Sequence, residues 1–480
     1  MNGRMIARVL GLVLLILAAL LLLPLLTALV YGESAAPFAL TIGVAVVVGA
    51  VLTFGFKPES TELYAKEGFA VVGLSWIVMS LLGAVPFVLS GDIPNYLDAV
   101  FETASGLTTT GASILTDVES LSRSGMFWRC FTHWIGGMGV LVFVMAVLPM
   151  GEGRAMHIMR AEVPGPTVGK LVPRARKTAT ILYLIYMGLT VAEAIFLLCG
   201  GMSFYEAILH AFATAGTGGF STRAASIGAF DSAYIEMVIA GFLVLFGTNF
   251  NLFYLLLIGR AKEALKSEEL HWYLGIVLAS TLAIALGIFR MYDGFGTALR
   301  HAFFNTMTCV STAGFGTEDF TTWPGYIQTM LVLLMFIGGC AGSTGGGLKL
   351  SRVMLLVKTA AADVARMVRP RRVTRVQMDH RRVSRETTDA VYTYFALYML
   401  LLLGCAFIVS FDGYDFATNF TAALSCMSNI GPGLSLIGPS GNFAIFSPLS
   451  KAAMVLTMLC GRLEIYAILI LFIPSTWKKR

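Results

Sequence analysis

Four short glycine-containing stretches recur along the chain, each after an apolar segment that is too short to cross a bilayer. Their sequences are Thr-Thr-Thr-Gly-Ala-Ser, Gly-Thr-Gly-Gly-Phe-Ser, Ser-Thr-Ala-Gly-Phe-Gly and Ser-Asn-Ile-Gly-Pro-Gly, and in each the fourth residue is the glycine on which they align: Gly111, Gly219, Gly314 and Gly431. Two positions before it, a side-chain oxygen recurs, on Thr109, Thr217, Thr312 and Asn429. One chain therefore carries the parts of one four-fold pore.

The composition of these turns suits the binding of a cation that has lost its water. Only a cage of oxygen dipoles offsets the cost of removing that water. Glycine lets consecutive carbonyls face one axis without a side chain in the lumen. A single Thr-x-Gly turn is weak evidence, but four in matching context predict a shared site. The predicted ion-binding residues are Thr109, Thr110, Gly111, Thr217, Gly218, Gly219, Thr312, Ala313, Gly314, Asn429, Ile430 and Gly431.

The rest of the chain is typical of a membrane protein. Of its 480 residues 57% are hydrophobic and 13% charged, and the mean hydropathy is +0.78, far too apolar for a soluble protein of this length. Apolar segments long enough to cross a bilayer predict ten spans, at 8–31, 37–56, 68–90, 125–149, 178–200, 232–258, 273–290, 325–357, 389–411 and 448–473. The apolar core of the first span exceeds the length of a signal-peptide core, so we expect a retained helix.

The shorter apolar segments 95–107, 203–215, 298–310 and 415–427 are predicted half-helices that end at the glycine turns. Non-helical backbone at membrane depth must be buried or line a water-filled path, so the four turns should meet at the centre. The predicted fold is an all-α integral membrane protein with four pseudo-repeats of helix, pore half-helix, filter loop and helix, preceded by two extra transmembrane helices. The predicted segments are 1–60 (N-terminal helices), 61–155, 170–265, 270–362 and 388–480 (the repeats), and 363–387 (a basic cytoplasmic linker).

The basic residues predict orientation because Lys and Arg remain on the cytoplasmic side. Lys and Arg concentrate in the segments on one side of the predicted spans, and these segments include both termini, which are therefore predicted to be cytoplasmic. The segments on the opposite side are acidic and could form a vestibule that concentrates cations. Part of this excess of Asp and Glu simply reflects the concentration of Lys and Arg on the cytoplasmic side. The basic run from Arg366 to Arg385 holds few aromatic residues, so we do not expect it to bind nucleic acid. We expect it to bind anionic lipid or an acidic surface of a partner protein. The alternative is that this charge only sets the orientation of the chain in the membrane.

Other site chemistries have little support in the sequence. The seven cysteines lie in or beside apolar segments without Cys-x-x-Cys spacing and are predicted to be buried, with neither disulfides nor metal. His210 and His301 are interpreted as packing residues. The run Gly342 to Lys349 lacks the spacing of a phosphate-binding loop, and no catalytic triad or zinc-protease motif occurs. We therefore expect no enzyme activity and no cofactor in this chain.

A glycine-rich interruption divides the span near 325–357. Each glycine costs a helix about 1 kcal/mol relative to alanine, so residues 338–347 predict a break. If it lies below the turns, such a loop could obstruct the path of the ion. The carbonyls of the loop lose their helical hydrogen bonds at the break and could accept hydrogen bonds from Arg462 in the last span. The alternative is a packed kink, with Arg462 paired only to Glu464. The predicted gate comprises Gly342, Ser343, Thr344, Gly345, Gly346, Gly347 and Arg462.

The motifs at 105–111, 134–139, 217–222, 338–349 and 461–465 together resemble the TrkH/KtrB superfamily of potassium transport subunits, and the two extra N-terminal spans favour the TrkH branch. The resemblance covers essentially the whole chain. It implies that the four aligned glycines are filter glycines and that Gly111 favours potassium over sodium. Asn429 and Pro432 depart from the Thr-x-Gly-Phe pattern, which implies an asymmetric ring. It also implies a homodimer in the bacterial cytoplasmic membrane, regulated by a TrkA-type cytoplasmic nucleotide-binding ring.

Two functions follow from this resemblance. The first is potassium uptake through a gated, channel-like filter, with K⁺ as the transported ion. The second is a secondary transporter that couples potassium to proton or sodium movement, which needs an ionisable group in the path. Arg462 and Glu464 are the evident charged candidates deep in a span, and their two-residue spacing places them on different helix faces.

Overall fold

The computed structural model describes residues 2–56, 65–139, 175–369, 375–379 and 381–477. They are overwhelmingly helical. The α-helices are Gly3–Leu20, Leu22–Tyr31, Ala36–Gly55, Ala65–Gly83, Val85–Ser90, Tyr96–Leu107, Arg123–Gly137, Ala175–Cys199, Phe204–Ala215, Ala233–Phe246, Phe250–Leu257, Ala261–Leu265, Glu268–Ile288, Phe295–Val310, Gly325–Ile337, Leu350–Val368, Arg385–Val409, Phe416–Ser428, Pro448–Arg462, Tyr466–Phe472 and Pro474–Trp477. Two short antiparallel strands, Gln377–Met378 and Arg381–Arg382, form a hairpin in the predicted basic linker.

Six helices within the described residues are long and apolar enough to cross a membrane, and a seventh candidate is a pair bent by 87°. This confirms the predicted helical membrane class. The prediction of ten continuous spans is corrected at two places: 232–258 breaks at residues 247–249, and 448–473 breaks at 463–465. The predicted interruption of 325–357 is confirmed, because no helix covers 338–349. The helix predicted at 125–149 ends at Gly137, and its part from residue 140 onward lies outside the described residues.

The two N-terminal helical segments pack closely on each other. A methyl group at Gly11 would lie 2.7 Å from the carbonyl oxygen of Gly49, so the backbones approach as small residues allow. The short segment that connects these two helical segments also contacts the rest of the molecule. The Glu33 carboxylate accepts hydrogen bonds from the backbone N–H groups of Arg123 (2.6 Å) and Ser124 (2.9 Å), at the start of helix Arg123–Gly137.

The outer helices expose apolar side chains, whereas the centre is buried. Helix Ala36–Gly55 exposes Val47 (63%) and Phe54 (72%), which in a membrane protein contact lipid rather than water. The residues of the four glycine turns are instead almost entirely buried. The irregular backbone thus lies inside the protein, as the absence of water in the hydrocarbon region requires.

The four predicted half-helices are present. They are Tyr96–Leu107, Phe204–Ala215, Phe295–Val310 and Phe416–Ser428, and each ends at its glycine turn. Three begin at a capping side chain, Asn95, Ser203 or Asp415, which accepts a hydrogen bond from backbone N–H groups of the first turn. Hydrogen bonds from Thr418 lower the pKa of Asp415, so the carboxylate stays ionised beside the positive helix start.

Candidate functional site

The four glycine turns share one backbone conformation. The residue two positions before the aligned glycine has a positive φ in every repeat: 54° at Thr109, 53° at Thr217, 62° at Thr312 and 56° at Asn429. The glycines follow with φ of 79°, 78°, 76° and 102° in the same order. Left-handed residues separated by one ordinary residue turn successive carbonyls toward the same side of the chain. The turns therefore have the geometry needed to aim several oxygens at one axis.

The same hydrogen bond closes each half-helix. The N–H of the residue before the aligned glycine donates to the carbonyl six positions before that glycine: Thr110 to Ser105 (2.8 Å), Gly218 to Ala213 (2.8 Å), Ala313 to Thr308 (2.9 Å) and Ile430 to Ser425 (3.0 Å). This is the helix-ending motif that normally places glycine or asparagine at the left-handed position. Three repeats use threonine there, although a β-branched side chain costs about 1–2 kcal/mol in that conformation. Such strain commonly marks functional backbone.

The four turns close into a ring. A methyl group at Gly111 would clash with the carbonyl oxygen of Gly218, one at Gly219 with that of Ala313, and one at Gly314 with that of Ile430. The fourth contact returns to the first repeat but is looser, since a methyl group at Gly431 would lie 2.9 Å from the carbonyl oxygen of Thr110. Each aligned glycine thus faces the next repeat's carbonyl, and the fourth repeat departs from the others, in line with its different sequence.

The recurrent side-chain oxygens differ in their partners. Thr109 Oγ1 and Asn429 Oδ1 are buried without a hydrogen-bond partner among the described residues. Thr217 Oγ1 donates to the Gly216 carbonyl at 2.6 Å. Thr312 Oγ1 accepts a hydrogen bond of 2.6 Å from the N–H of Gly346, which belongs to the glycine-rich loop. Two of the four oxygens therefore have no hydrogen-bond partner within the described chain, and one is held by the predicted gate.

Side chains from helix Arg123–Gly137 support the first two turns, and we did not predict their role from the sequence. His133 lies between them: its Nδ1 is 2.8 Å from the Gly106 carbonyl, and its Nε2 accepts from the Phe220 N–H at 3.3 Å. Arg129, one helical turn earlier on the same face, donates to Glu102 at 2.6 Å and to the Ser221 carbonyl at 3.1 Å. The sequence signal for this role was the spacing of Arg129 and His133, two basic residues four positions apart, which places both on one face of the helix.

A cavity opens on one side of the ring and touches all four aligned glycines. Its lining includes Arg129 and Arg223 and, within the described chain, no Asp or Glu, so the expected acidic vestibule is not found at this cavity. Two acidic residues of the segments that were expected to form this vestibule, Asp98 and Glu102, are instead bound within the fold. Glu102 pairs with Arg129, and Asp98 pairs with Lys451 at 2.7 Å. These two carboxylates therefore act in ion pairs within the fold and do not line the cavity.

The glycine-rich loop lies directly against the glycine turns on the other side. The N–H of Gly347 donates to the Ser428 carbonyl at 2.9 Å, and the N–H of Gly346 donates to Thr312. A methyl group at Gly345 would lie 2.8 Å from the Ser311 carbonyl oxygen. The loop thus touches the ends of the third and fourth half-helices and is itself buried.

Arg462 joins this loop to the first repeat. Its Nη1 donates to the Thr344 carbonyl at 2.6 Å, and its Nη2 donates to the carbonyls of Gly136 (2.7 Å) and Gly137 (2.6 Å). The expected contact between Arg462 and a loop carbonyl is therefore present. The alternative, in which Arg462 pairs only with Glu464, is wrong because Arg462 donates to these three carbonyls; Glu464 forms an ion pair with Arg352.

Two further charged residues hold the loop. The Lys349 amine donates to the Gly345 carbonyl, and the Glu269 carboxylate accepts the Ala341 N–H at 2.7 Å. Both side chains are almost completely buried, at 2% and 5% exposure. A buried charge is costly unless it is paired or hydrogen-bonded, and here the loop backbone supplies the hydrogen bonds.

The cysteines and histidines do not form a site among the described residues, which contain no group of three or more His, Cys, Asp or Glu suited to a metal. All seven cysteines are free, as expected. Six are buried, but the prediction of burial is wrong for Cys199, which is exposed at the end of its helix. His210 packs as predicted, with Nδ1 2.8 Å from the Glu206 carbonyl and Nε2 3.0 Å from Ser221 Oγ.

Comparison with known proteins gives consistent matches over the whole chain. Residues 35–479 match the family model described as TrkH, cation transport protein. The Trk system potassium uptake proteins TrkH of Salmonella typhimurium and Escherichia coli K12 are each 38% identical to this chain, over 100% of both chains. The crystal structure of the potassium transporter TrkH from Vibrio parahaemolyticus superimposes with a TM-score of 0.90 at 34% identity, again over 100% of each chain. The chain therefore belongs to the TrkH family of cation transport proteins and is a multi-pass membrane protein.

Proposed function

We propose that this chain takes up potassium through the ring of four glycine turns, with the glycine-rich loop as its gate. One observation carries the proposal: the loop donates a hydrogen bond to Thr312, one of the four recurrent side-chain oxygens of the ring. An ion leaving the ring on that side meets the loop. The loop and the ring must therefore separate for the ion to pass.

Potassium is the ion we favour. The relatives named above are potassium uptake proteins, and the first turn keeps Gly111, the residue that the family resemblance associates with potassium preference. The left-handed turns present carbonyl oxygens in successive layers, which replace the hydration shell of a potassium ion. Membership of a transporter family also argues against enzymatic function.

Coupled transport is the second candidate, and one observation favours it. Glu193 lies in the membrane-spanning helix Ala175–Cys199 with 0% exposure, and its carboxylate has no ion-pair partner among the described residues; the Thr214 hydroxyl lies beside it. An ionisable group of this kind within a membrane is a candidate proton site. Arg462 and Glu464, the candidates evident in the sequence, are instead engaged with carbonyls and with Arg352.

Rubidium flux into proteoliposomes that contain this chain tests both candidates. A channel-like conduit predicts flux that follows the rubidium gradient and the membrane potential, without dependence on a proton or sodium gradient. Coupled transport predicts that imposing either gradient drives rubidium against its own. Absence of rubidium or potassium flux under all conditions, with and without a regulatory partner, would reject both.

The assembly that we propose follows the family resemblance. The chain would form a homodimer in the bacterial cytoplasmic membrane with both termini in the cytoplasm, where a TrkA-type nucleotide-binding ring would bind. The exposed basic residues Arg381 and Arg382 in the cytoplasmic hairpin support a contact with an acidic surface or with anionic lipid headgroups.

Replacing the threonines by valine should separate ion binding from packing. Thr109→Val removes an oxygen without a hydrogen-bond partner, so stability should be unchanged or slightly higher, while rubidium flux and apparent potassium affinity fall. Thr312→Val also removes the acceptor of the Gly346 N–H and should therefore alter gating as well. Normal transport in the valine variants of Thr109, Thr217 and Thr312 would mean that the hydroxyls only pack.

Charge reversal in the basic linker should weaken partner binding. We expect Arg371→Glu, Arg372→Glu and Arg375→Glu together to reduce co-purification with a TrkA-type ring; Arg371 and Arg372 lie outside the described residues. Salt should also weaken the unmodified complex, because exposed charge pairs are screened. Arg260→Glu, at an exposed ion pair elsewhere, is the matched control. Equal co-purification of the triple variant and the parent at every salt concentration would assign this charge to topology alone.

A further inference from the structure

The short hairpin at residues 377–382 is fastened to the two helices that adjoin the glycine-rich loop. Asp379 in its turn accepts a hydrogen bond of 2.7 Å from the Glu268 N–H, at the start of helix Glu268–Ile288. The Asp379 N–H donates back to the Glu268 carboxylate at 3.3 Å. A carboxylate from a distant part of the chain thus caps this helix, at the end where negative charge is stabilising.

The second helix is bound at the same place. Lys358, on helix Leu350–Val368, forms an ion pair with Glu268 and donates to the Gln377 carbonyl of the hairpin at 2.8 Å. This helix begins directly after the glycine-rich loop. Glu268 is therefore the point at which the hairpin, the helix that follows the loop and the helix Glu268–Ile288 meet.

The next residue reaches the loop itself. Glu269 is buried, at 5% exposure, and its carboxylate accepts the Ala341 N–H at 2.7 Å. Asp379 is exposed on the surface, whereas the glycine-rich loop, which it reaches through Glu268 and Glu269, is buried. A displacement of the hairpin would move the start of helix Glu268–Ile288 and, with it, the carboxylate that holds the loop.

We infer that the hairpin is a clamp that keeps the glycine-rich loop against the filter ring, and that its release favours opening. The inference rests on the proposed gating role of the loop and names the regulation of that same site. Asp379, Lys358 and Glu268 form the outer part of the clamp, and Glu269 forms the inner contact. They are positioning residues, since none of them touches the ring.

Two measurements test the clamp, and only one requires transport. Deuterium uptake of backbone N–H groups in residues 338–349 is measured by mass spectrometry on the full chain in lipid nanodiscs, and rubidium flux is measured in proteoliposomes without a partner. Asp379→Ala and Lys358→Met should each increase exchange in the loop and raise basal flux roughly tenfold, the effect of losing one charged hydrogen bond. Asp379→Asn keeps an acceptor for the Glu268 N–H and tolerates the left-handed φ of 49°, but it loses the charge, so its effect should lie between the parent and Asp379→Ala.

Glu263→Ala is the matched control, because Glu263 pairs with Arg260 in another surface segment, outside the clamp. If Asp379→Ala and Lys358→Met leave loop exchange at the parental level, the clamp is wrong whatever the flux shows. If the parent transports no rubidium while these variants still loosen the loop, the proposed function fails and the clamp stands. Increased exchange without increased flux in a transporting parent would show that the clamp does not act on the gate.

Discussion

Replacing Arg462 by alanine should raise basal potassium flux in the absence of any partner. The guanidinium holds the loop through the Thr344 carbonyl and the first repeat through the carbonyls of Gly136 and Gly137. One hydrogen bond from a charged donor contributes about 1.5–3 kcal/mol. Loss of the loop contact should therefore shift the balance toward the open state by roughly tenfold to one hundredfold, and stimulation by a partner should shrink accordingly.

Flux in proteoliposomes, normalised to inserted protein, checks this result. Arg462→Lys keeps the charge but loses the forked geometry, so we expect an intermediate effect. Arg260→Ala, at an exposed ion pair, controls for loss of an arginine in general. Deleting Gly345 to Gly347 should raise basal flux as well, since it removes the N–H donors to Thr312 and Ser428. Correctly inserted variants with the low flux of the parent would remove both elements from the gate.

The conformation of the glycine turns was predictable because their chemistry is local. A glycine and an oxygen-bearing residue two positions apart encode a left-handed pair, and the preceding apolar segment encodes the half-helix that ends there. All four half-helices begin and end within three residues of the predicted positions. The contact of Arg462 with the loop was also predictable, because a charge at membrane depth needs partners and a glycine-rich break supplies carbonyls.

The breaks in the other helices were not predictable, because they depend on distant parts of the chain. Residues 232–258 are mostly apolar, which indicates one span, although Gly247, Thr248 and Asn249 interrupt the apolar run near its middle. In the structure the glycine-rich loop satisfies the backbone at the break: the Cys340 N–H donates to the Gly247 carbonyl at 2.9 Å, and the Phe250 N–H donates to the Gly342 carbonyl at 3.1 Å. One interruption therefore stabilises another about ninety residues away, a relation that no local pattern contains.

The buried charges around the loop escaped prediction for a similar reason. Lys349 and Glu269 each stand at the edge of an apolar segment, where a charge ordinarily faces water or lipid headgroups. Their hydrogen bonds to Gly345 and Ala341 exist only once the loop is folded between them. The sequence thus predicted the loop and its contact with Arg462, but not the role of Lys349 and Glu269 in holding it.

Replacing Gly111 by serine should raise sodium permeation relative to potassium. The φ of Gly111 is 79°, a conformation that costs a non-glycine residue about 1–2 kcal/mol. The new Cβ would also clash with the carbonyl oxygen of Gly218 in the next repeat. That oxygen must move away from its place in the ring, and a displaced dipole no longer replaces water around potassium. A change of about 1.4 kcal/mol in relative binding would alter the permeability ratio tenfold.

Reversal potentials across potassium and sodium gradients measure this ratio. Gly91→Ser is the matched control: Gly91 has a similar φ of 82° but open space around its Cα, so it carries the backbone strain without the clash. The looser fourth contact predicts an order among the repeats, with a smaller shift for Gly431→Ser than for Gly111→Ser, Gly219→Ser or Gly314→Ser. Assembly should persist in each variant because three turns of the ring remain intact. Reversal potentials identical to the parent in all four would show that the ring does not select the ion.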